Sequence, residues 1–200
     1  MTYFLINLRQ EWSSCEMKFL GMRKVRDGKY LKGYELDYLN KAGAEKTYEM
    51  VSFAELQNEN ELGQKVNGIS IVAFMDEKML LLREFRMGVN RCIYNLCAGM
   101  LEAGETIEEC IARELYEETG LKLERIIKIL PPSFAAVSIS DVKNQIAFVE
   151  VSGELSDHTS PNEEIEPQFY TKGEMTRLLE QEAFSTRAQL AGYFFTQNLI

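Results

Sequence analysis

Histidine is almost missing from this chain of 200 residues: there is one, His158. It stands in the polar stretch Ser156-Asp157-His158-Thr159-Ser160 and reads as a solvated loop residue, which leaves a Ser/His/Asp triad or a phosphohistidine mechanism almost no footing. Cysteine is sparse too. Cys15, Cys92, Cys97 and Cys110 form no Cys-x-x-Cys pair. With a single histidine beside them they supply no zinc ligand set, and buried free thiols of a reducing compartment are the expectation. Positive charge is short, since 22 Lys and Arg face 31 Asp and Glu for a formal net charge of -9. That argues against nucleic acid, whose phosphate backbone is bound by basic surfaces. Small phosphorylated ligands remain possible, because divalent cations can bridge them to carboxylates. No apolar run approaches the length of a membrane span. The first twelve residues, Met1–Trp12, have neither a basic n-region nor a small-residue cleavage site, so no signal peptide is expected and the expected location is cytoplasmic.

What is present has the composition of an ordinary globular domain, 46% hydrophobic and 26% charged. Residues 1–16 are indecisive, a short helix or an irregular arm. Residues 17–55 read as β: two strands around Asp27-Gly28, a hairpin-favouring dipeptide, then a further strand through Lys46–Phe53. Residues 56–67 are polar and read as a linker. The resulting division is an N-terminal β-extension over 1–60 and a main domain over 61–200. Beyond the linker, Gly68–Met75 and Met79–Met87 are apolar strands, and Cys92–Gly99 reads as one short strand. The period then changes from two to 3.6: Ile107, Ile111 and Leu115 form one stripe. Thr106 and Glu109 form a capping box that starts this helix, and Gly120 is placed to stop it. Three strands follow, over 121–130, 143–153 and 165–171, with a loop over 131–141. Two terminal helices are opened by Thr171 and Ser185. The fold class is therefore α+β, a mixed sheet between helices.

The middle helix breaks local rules. Glu114, Glu117 and Glu118 occur at i, i+3 and i+4, so three carboxylates share one face near the helix C-terminus. Both the like charges and the macrodipole oppose that arrangement. A bound divalent cation would reverse the local electrostatics; a solvated acidic face is the bland alternative. The flanks favour the cation. Gly99, five residues, Glu105, seven residues, Arg113-Glu114-Leu115, one residue, Glu117-Glu118, one residue and Gly120-Leu121 fit the Nudix box at every fixed position. Average residue usage gives such a match by chance in roughly one chain in ten million.

On these residues the chain resembles the Nudix hydrolases. The resemblance implies a Nudix-type α/β/α sandwich around a mixed sheet that binds Mg²⁺ or Mn²⁺ and a diphosphate. By position, Glu114 and Glu118 would be direct metal ligands, Glu117 would ligate a second ion or its waters, and the Ala98 carbonyl could complete the shell. Gly99 would let the loop approach phosphate, and Arg113 would pair with Glu105 to brace the motif. Glu163, with Glu164 beside it, lies in the loop where several family members place a catalytic glutamate; an ordinary exposed loop is the competing reading. The outer segments Lys18–Asn40, Lys46–Phe53, Leu81–Arg86, Cys97–Glu105 and Phe184–Phe195 are similar to ADP-ribose pyrophosphatases and nucleotide-sugar hydrolases. That likeness implies a small-molecule nucleotide substrate, while the negative charge and the lack of a long apolar run imply no nucleic acid and no membrane. It also implies a homodimer whose N-terminal sheet is swapped, Tyr48 stacking on adenine and Arg86 contacting phosphates. A half-buried strand residue and a surface charge are the plainer readings of these two.

Departures limit the substrate. Where relatives commonly have Glu-Leu-Pro-Ala-Gly, this chain has Asn95-Leu96-Cys97-Ala98-Gly99; Phe53 replaces an expected basic residue; Ser138 and Val142 replace a glycine and a glutamate in the loop that recognises the distal sugar. ADP-ribose is thus the leading candidate among nucleoside-diphosphate sugars. A non-catalytic sensing module, or a hydrolase of triphosphates or dinucleoside polyphosphates, is the alternative.

Overall fold

The computed structural model describes residues 16–156 and 158–200; Cys15 and the N-terminal arm lie outside them. Two compact units divide the described chain, one running through Gln64 and including Ala136–Val142, the other Lys65–Ala135 with Lys143–Ile200. No described helix is long and apolar enough to cross a membrane.

The first unit is an antiparallel sheet of β1 (Lys18–Asp27), β2 (Lys32–Leu39) and β3 (Glu45–Ser52). Tyr34, Leu36, Met50 and Leu56 form its small core. The Tyr34 hydroxyl accepts from the Leu56 amide at 2.7 Å and donates to the Ala54 carbonyl at 3.3 Å, pinning the segment after β3. Residues 136–142 form a turn, as expected of that loop, and it is fastened to β3: Val51 N–H donates to the Ile139 carbonyl at 2.9 Å, and Val51 makes an isolated parallel bridge to Ser140.

The second unit is an eight-stranded mixed sheet with helices on both faces. Its order is β11 (Ile165–Tyr170), β5 (Lys78–Arg86), β4 (Val66–Met75), β10 (Lys143–Ser152), β8 (Lys122–Ile129), with β6 (Arg91–Asn95) on β5, β7 (Cys97–Met100) on β4 and β9 (Ser133–Phe134) on β10. Among the described strands only the β10–β4 pair is parallel. Alternation on β4 sends Ile69, Ile71 and Ala73 to a core shared with α1 (Ile107–Thr119), and Val72 to one shared with α2 (Lys172–Gln181) and α3 (Thr186–Thr196). Pro167 falls in β11, an edge strand, where its missing N–H is tolerated.

The sequence predicts one strand over Cys92–Gly99; the structure has two. β4 and β5 pair only beside their hairpin, at Phe74–Met79 and Met75–Lys78, and then diverge. β6 stays with β5 and β7 crosses to β4, so the chain changes partner at Leu96. A continuous apolar pattern cannot reveal such an exchange, because both halves are strand.

α1 follows its local signals. The Thr106 side chain accepts from Glu109 N–H, and the Glu109 carboxylate accepts from Thr106 N–H. Gly120 closes the helix at φ 75°, a left-handed conformation that favours glycine, and its N–H donates to the Tyr116 carbonyl. A Cβ there would stand 1.9 Å from Ser156 Oγ. The loop entering α1 is fastened by Arg113, which grips Glu105 bidentately through Nε at 2.7 Å and Nη2 at 2.9 Å and also donates to the Met100 carbonyl at 3.0 Å. Arg113, helped by the Glu102 N–H, holds the Glu105 carboxylate down at about 2 from an ordinary 4.5. Because the folded value is depressed, this contribution to stability is complete above pH 4.5 and is lost as pH falls toward 2. We predict that Glu105→Gln melts below the parent at neutral pH and loses less further stability across that acid range. Parallel melting curves for the two proteins, followed by circular dichroism against pH, would refute the brace.

Candidate active site

β5, β7, α1 and the loop before β11 surround a cavity of about 340 Å³ lined by Glu84, Arg86, Ala98, Glu118, Glu163 and Glu164 among others. A larger depression of about 1030 Å³ lies by the β4–β5 hairpin and the start of α2 and contains no residue of the box motif. The smaller one is therefore the candidate site.

Its floor is where α1 meets β7. The Glu118 carboxylate accepts the Ala98 N–H at 3.1 Å. Burial drives its pKa up to about 8, reinforced by the charges of Glu114 and Glu84 and opposed by hydrogen bonds from the Cys97 thiol and the Ala98 amide. Glu114 lies one turn back, pressed on Gly99: a Cβ at position 99 would fall 1.6 Å from Glu114 Oε1. The recess in front of Gly99 is filled by this carboxylate, which a side chain at position 99 would displace. Burial raises the Glu114 pKa as well, against the pull of Arg113 Nη1 at 2.7 Å. The Cys97 thiol is fully buried and pushed well up, first by desolvation and then by Glu118. Burial likewise takes Cys110 to about 12, so neither is a thiolate. Cys92, Cys97 and Cys110 are free.

The sequence groups three glutamates on one face, but the structure separates them. Glu117 is half exposed and its carboxylate is taken by Arg113 Nη1 at 3.1 Å. Among the described residues no three His, Cys, Asp or Glu side chains converge closely enough to hold an ion unaided. Glu118 and Glu114 still fit one. They are hard oxygen donors, desolvated against backbone, and magnesium is commonly held by one or two carboxylates while water and phosphate fill the rest of its shell.

Arg86, with its side chain 57% exposed, lines the cavity from β5. Of the two loop glutamates, Glu163 is committed locally, accepting from Ser160 N–H at 3.2 Å and Ser160 Oγ at 2.9 Å. Glu164 pairs through its backbone, its carbonyl accepting Phe85 N–H at 3.0 Å, which places its side chain on the cavity wall. His158 is exposed, as a loop residue should be, but it is not idle: its ring stacks on Tyr116 of α1 at 4.6 Å.

Tyr48 belongs to the other unit. It is 37% exposed on β3, and its hydroxyl donates to the Ser138 carbonyl at 2.5 Å. Within that unit it lines a cavity of about 370 Å³ with Tyr38, Lys46, Met50 and Asp141.

One site residue escapes the sequence reading. Glu84, in Arg83-Glu84-Phe85-Arg86, looks like surface charge, yet its side chain is 7% exposed. The signal was its parity: Leu80, Leu82 and Glu84 alternate onto one face of β5, and the first two are core.

Comparison with known proteins accords with this geometry. The family model described as NUDIX domain matches residues 64–190. The ADP-ribose pyrophosphatase of Bacillus subtilis (strain 168) is 31% identical over 124 residues, 60% of this chain and 63% of that protein. The ADP-sugar pyrophosphatase of Mus musculus is 24% identical over 142 residues, 68% of this chain and 62% of that one. The chain thus spans less than two thirds of either relative. A crystal structure described as an ADP compounds hydrolase has the same fold, with a TM-score of 0.70 at 20% identity over 91% of this chain and 92% of the other. With the family model covering more than half the sequence, and covering the residues that build the cavity floor, the chain belongs to the Nudix hydrolase family.

Proposed function

We propose that this protein is a Mg²⁺- or Mn²⁺-dependent pyrophosphohydrolase that splits ADP-ribose, or a related nucleoside-diphosphate sugar, into a nucleoside monophosphate and a sugar phosphate. The observation that carries the reading is the burial of Glu118 against Ala98, beside Glu114 in the Gly99 recess: Arg113 already answers Glu114, whereas an ionised Glu118 is unfavourable unless a further cation shares the space. The names of the mouse and Bacillus relatives support the substrate class.

In this mechanism Glu118 and Glu114, with the Ala98 carbonyl, would hold the ion, and Glu117 would hold a second ion or its waters. When bound, the metal neutralises the diphosphate and acidifies water beside phosphorus. Arg86 donates to the phosphate oxygens and orients them. Glu164 takes the proton from the attacking water. Its carboxylate has no hydrogen bond among those described, whereas Glu163 is held by Ser160 and serves to shape the loop. Tyr48 stacks on the base. The proposal includes a homodimer built through the N-terminal sheet, supported by Leu20 and Val25 exposed on the edge strand β1. It also includes a cytoplasmic location, supported by the free thiols.

Four experiments follow. With Mg²⁺ and a panel of ADP-ribose, other nucleoside-diphosphate sugars, triphosphates and dinucleoside polyphosphates, the protein should turn over the sugars fastest, and Glu118→Gln should lose at least about a hundredfold in kcat. The same variant separates function from stability. The raised folded pKa means that metal-free stability falls as pH climbs from 4.5 to about 8. At pH 8 metal-free Glu118→Gln should therefore melt higher than the metal-free parent, by roughly 5 °C, and only the parent should gain from added Mg²⁺. Undiminished turnover, or a variant that melts lower, would remove the metal assignment. Glu164→Gln should lose about a hundredfold in kcat and Glu163→Gln much less; the reverse order would exchange their roles. Light scattering should give twice the chain mass of 23.0 kDa, and a clean monomer would end the shared-sheet proposal.

A further inference from the structure

Glu84 is a buried carboxylate that the roles above leave unused. Its Oε1 accepts Asn95 Nδ2 at 2.5 Å and its Oε2 accepts Arg86 Nη1 at 3.3 Å, so each oxygen has its own donor. Asn95 is fixed in turn. Its Oδ1 accepts Ser185 Oγ at 2.6 Å, and the same Ser185 oxygen caps α3 by accepting Ala188 N–H at 3.3 Å. The backbones are stitched as well: Tyr94 N–H donates to the Ala183 carbonyl at 2.8 Å, and Ser185 N–H to the Tyr94 carbonyl at 2.9 Å. With its oxygen committed to a hydroxyl, the Asn95 amide can only donate toward Glu84. Arg187, on the first turn of α3, donates to Ser70 Oγ at 2.6 Å and has no acidic ion-pair partner among the described residues; Glu84 is the carboxylate whose charge reaches it.

We infer that Glu84 is a positioning residue: anchored to the start of α3 through Asn95 and Ser185, it holds the Arg86 guanidinium over the cavity where the diphosphate binds. The inference rests on the reading of Arg86 as the phosphate contact. A guanidinium on an exposed strand end has many rotamers to lose on binding, and a buried acceptor two residues away on the same face removes most of them beforehand. The network also requires one carboxylate and one amide at positions 84 and 95. Two carboxylates at that separation would repel each other in a desolvated place, whereas exchanging the two groups would reverse the donor and keep every bond.

The test is a four-protein cycle of the parent, Glu84→Gln, Asn95→Asp and the double exchange. Each is measured for ADP-ribose KM and kcat, for calorimetric binding of Mg²⁺-pyrophosphate, and for melting temperature. Glu84→Gln should raise KM and the pyrophosphate Kd about tenfold with kcat within about twofold, because two amide donors then face each other at positions 84 and 95 and the oxygen that anchors Arg86 is no longer fixed. Asn95→Asp should melt lower by roughly 5 °C. The double exchange should recover both the affinity and the melting temperature. Unchanged KM and Kd in Glu84→Gln, or a double exchange no better than Asn95→Asp, would overturn the inference. A parent that binds pyrophosphate but leaves ADP-ribose intact would defeat the substrate reading alone, with the pyrophosphate and melting data still deciding this one. A parent that binds no pyrophosphate would overturn both.

Discussion

The site depends on how closely α1 lies against the backbone of β7, and a single missing side chain permits that approach. Gly99 leaves a recess at its Cα, the Glu114 carboxylate occupies it, and Glu118 one turn further reaches the Ala98 N–H. A β-carbon at position 99 would meet the Glu114 carboxylate and push that side chain out of its recess. The flanking devices serve this contact. The capping box fixes where α1 begins, Gly120 fixes where it ends, and Arg113 ties the entering loop to the same helix face.

The arrangement stands against the helix's own preferences. Glu117 and Glu118 sit in its last turn, where the macrodipole disfavours anions, and no basic residue there offsets them. Arg113 compensates part of the way, serving Glu105, Glu114 and Glu117 at once. Glu118 is left outside that shared cation, answered only by neutral donors. Among the box carboxylates it is therefore the one that gains most from a further positive charge. This distribution also explains why the three glutamates part company: one guanidinium can reach two of them from its own position on the helix, and the third is turned inward.

Much of this was legible in the sequence because the signals are local. A capping box, a terminal glycine and an i, i+4, i+8 apolar stripe are complete within one helix, and the helix they specify is the one found. The box spacing pointed to the contact of α1 with Ala98 and Gly99 for the same reason, since it is a pattern along the chain. Features that depend on partners were not legible. The break at Leu96 arises because β4 and β5 diverge, which no residue between Cys92 and Gly99 records. Residues 136–142 lie along β3 through pairing with Val51, a strand far away in sequence. Glu84 was hidden between two arginines, where charge outweighed the alternation that buries it.

That divergence connects the overlooked residues to the site. Were β4 and β5 paired along their lengths, the end of β5 would be sealed by its neighbour, and a charged side chain there would have no donors except ladder amides already in use. Splaying opens a wedge into which β6 brings Asn95 and β7 brings Ala98 and Gly99, one from each branch. The acid expected at position 95 is an amide, and the buried carboxylate comes from Glu84 on the adjacent strand. A polar group in such a wedge is held by its donors more than by its own backbone. The negative charge can therefore move from one strand to the next while the cavity keeps its form, provided that the partner changes from acid to amide at the same time.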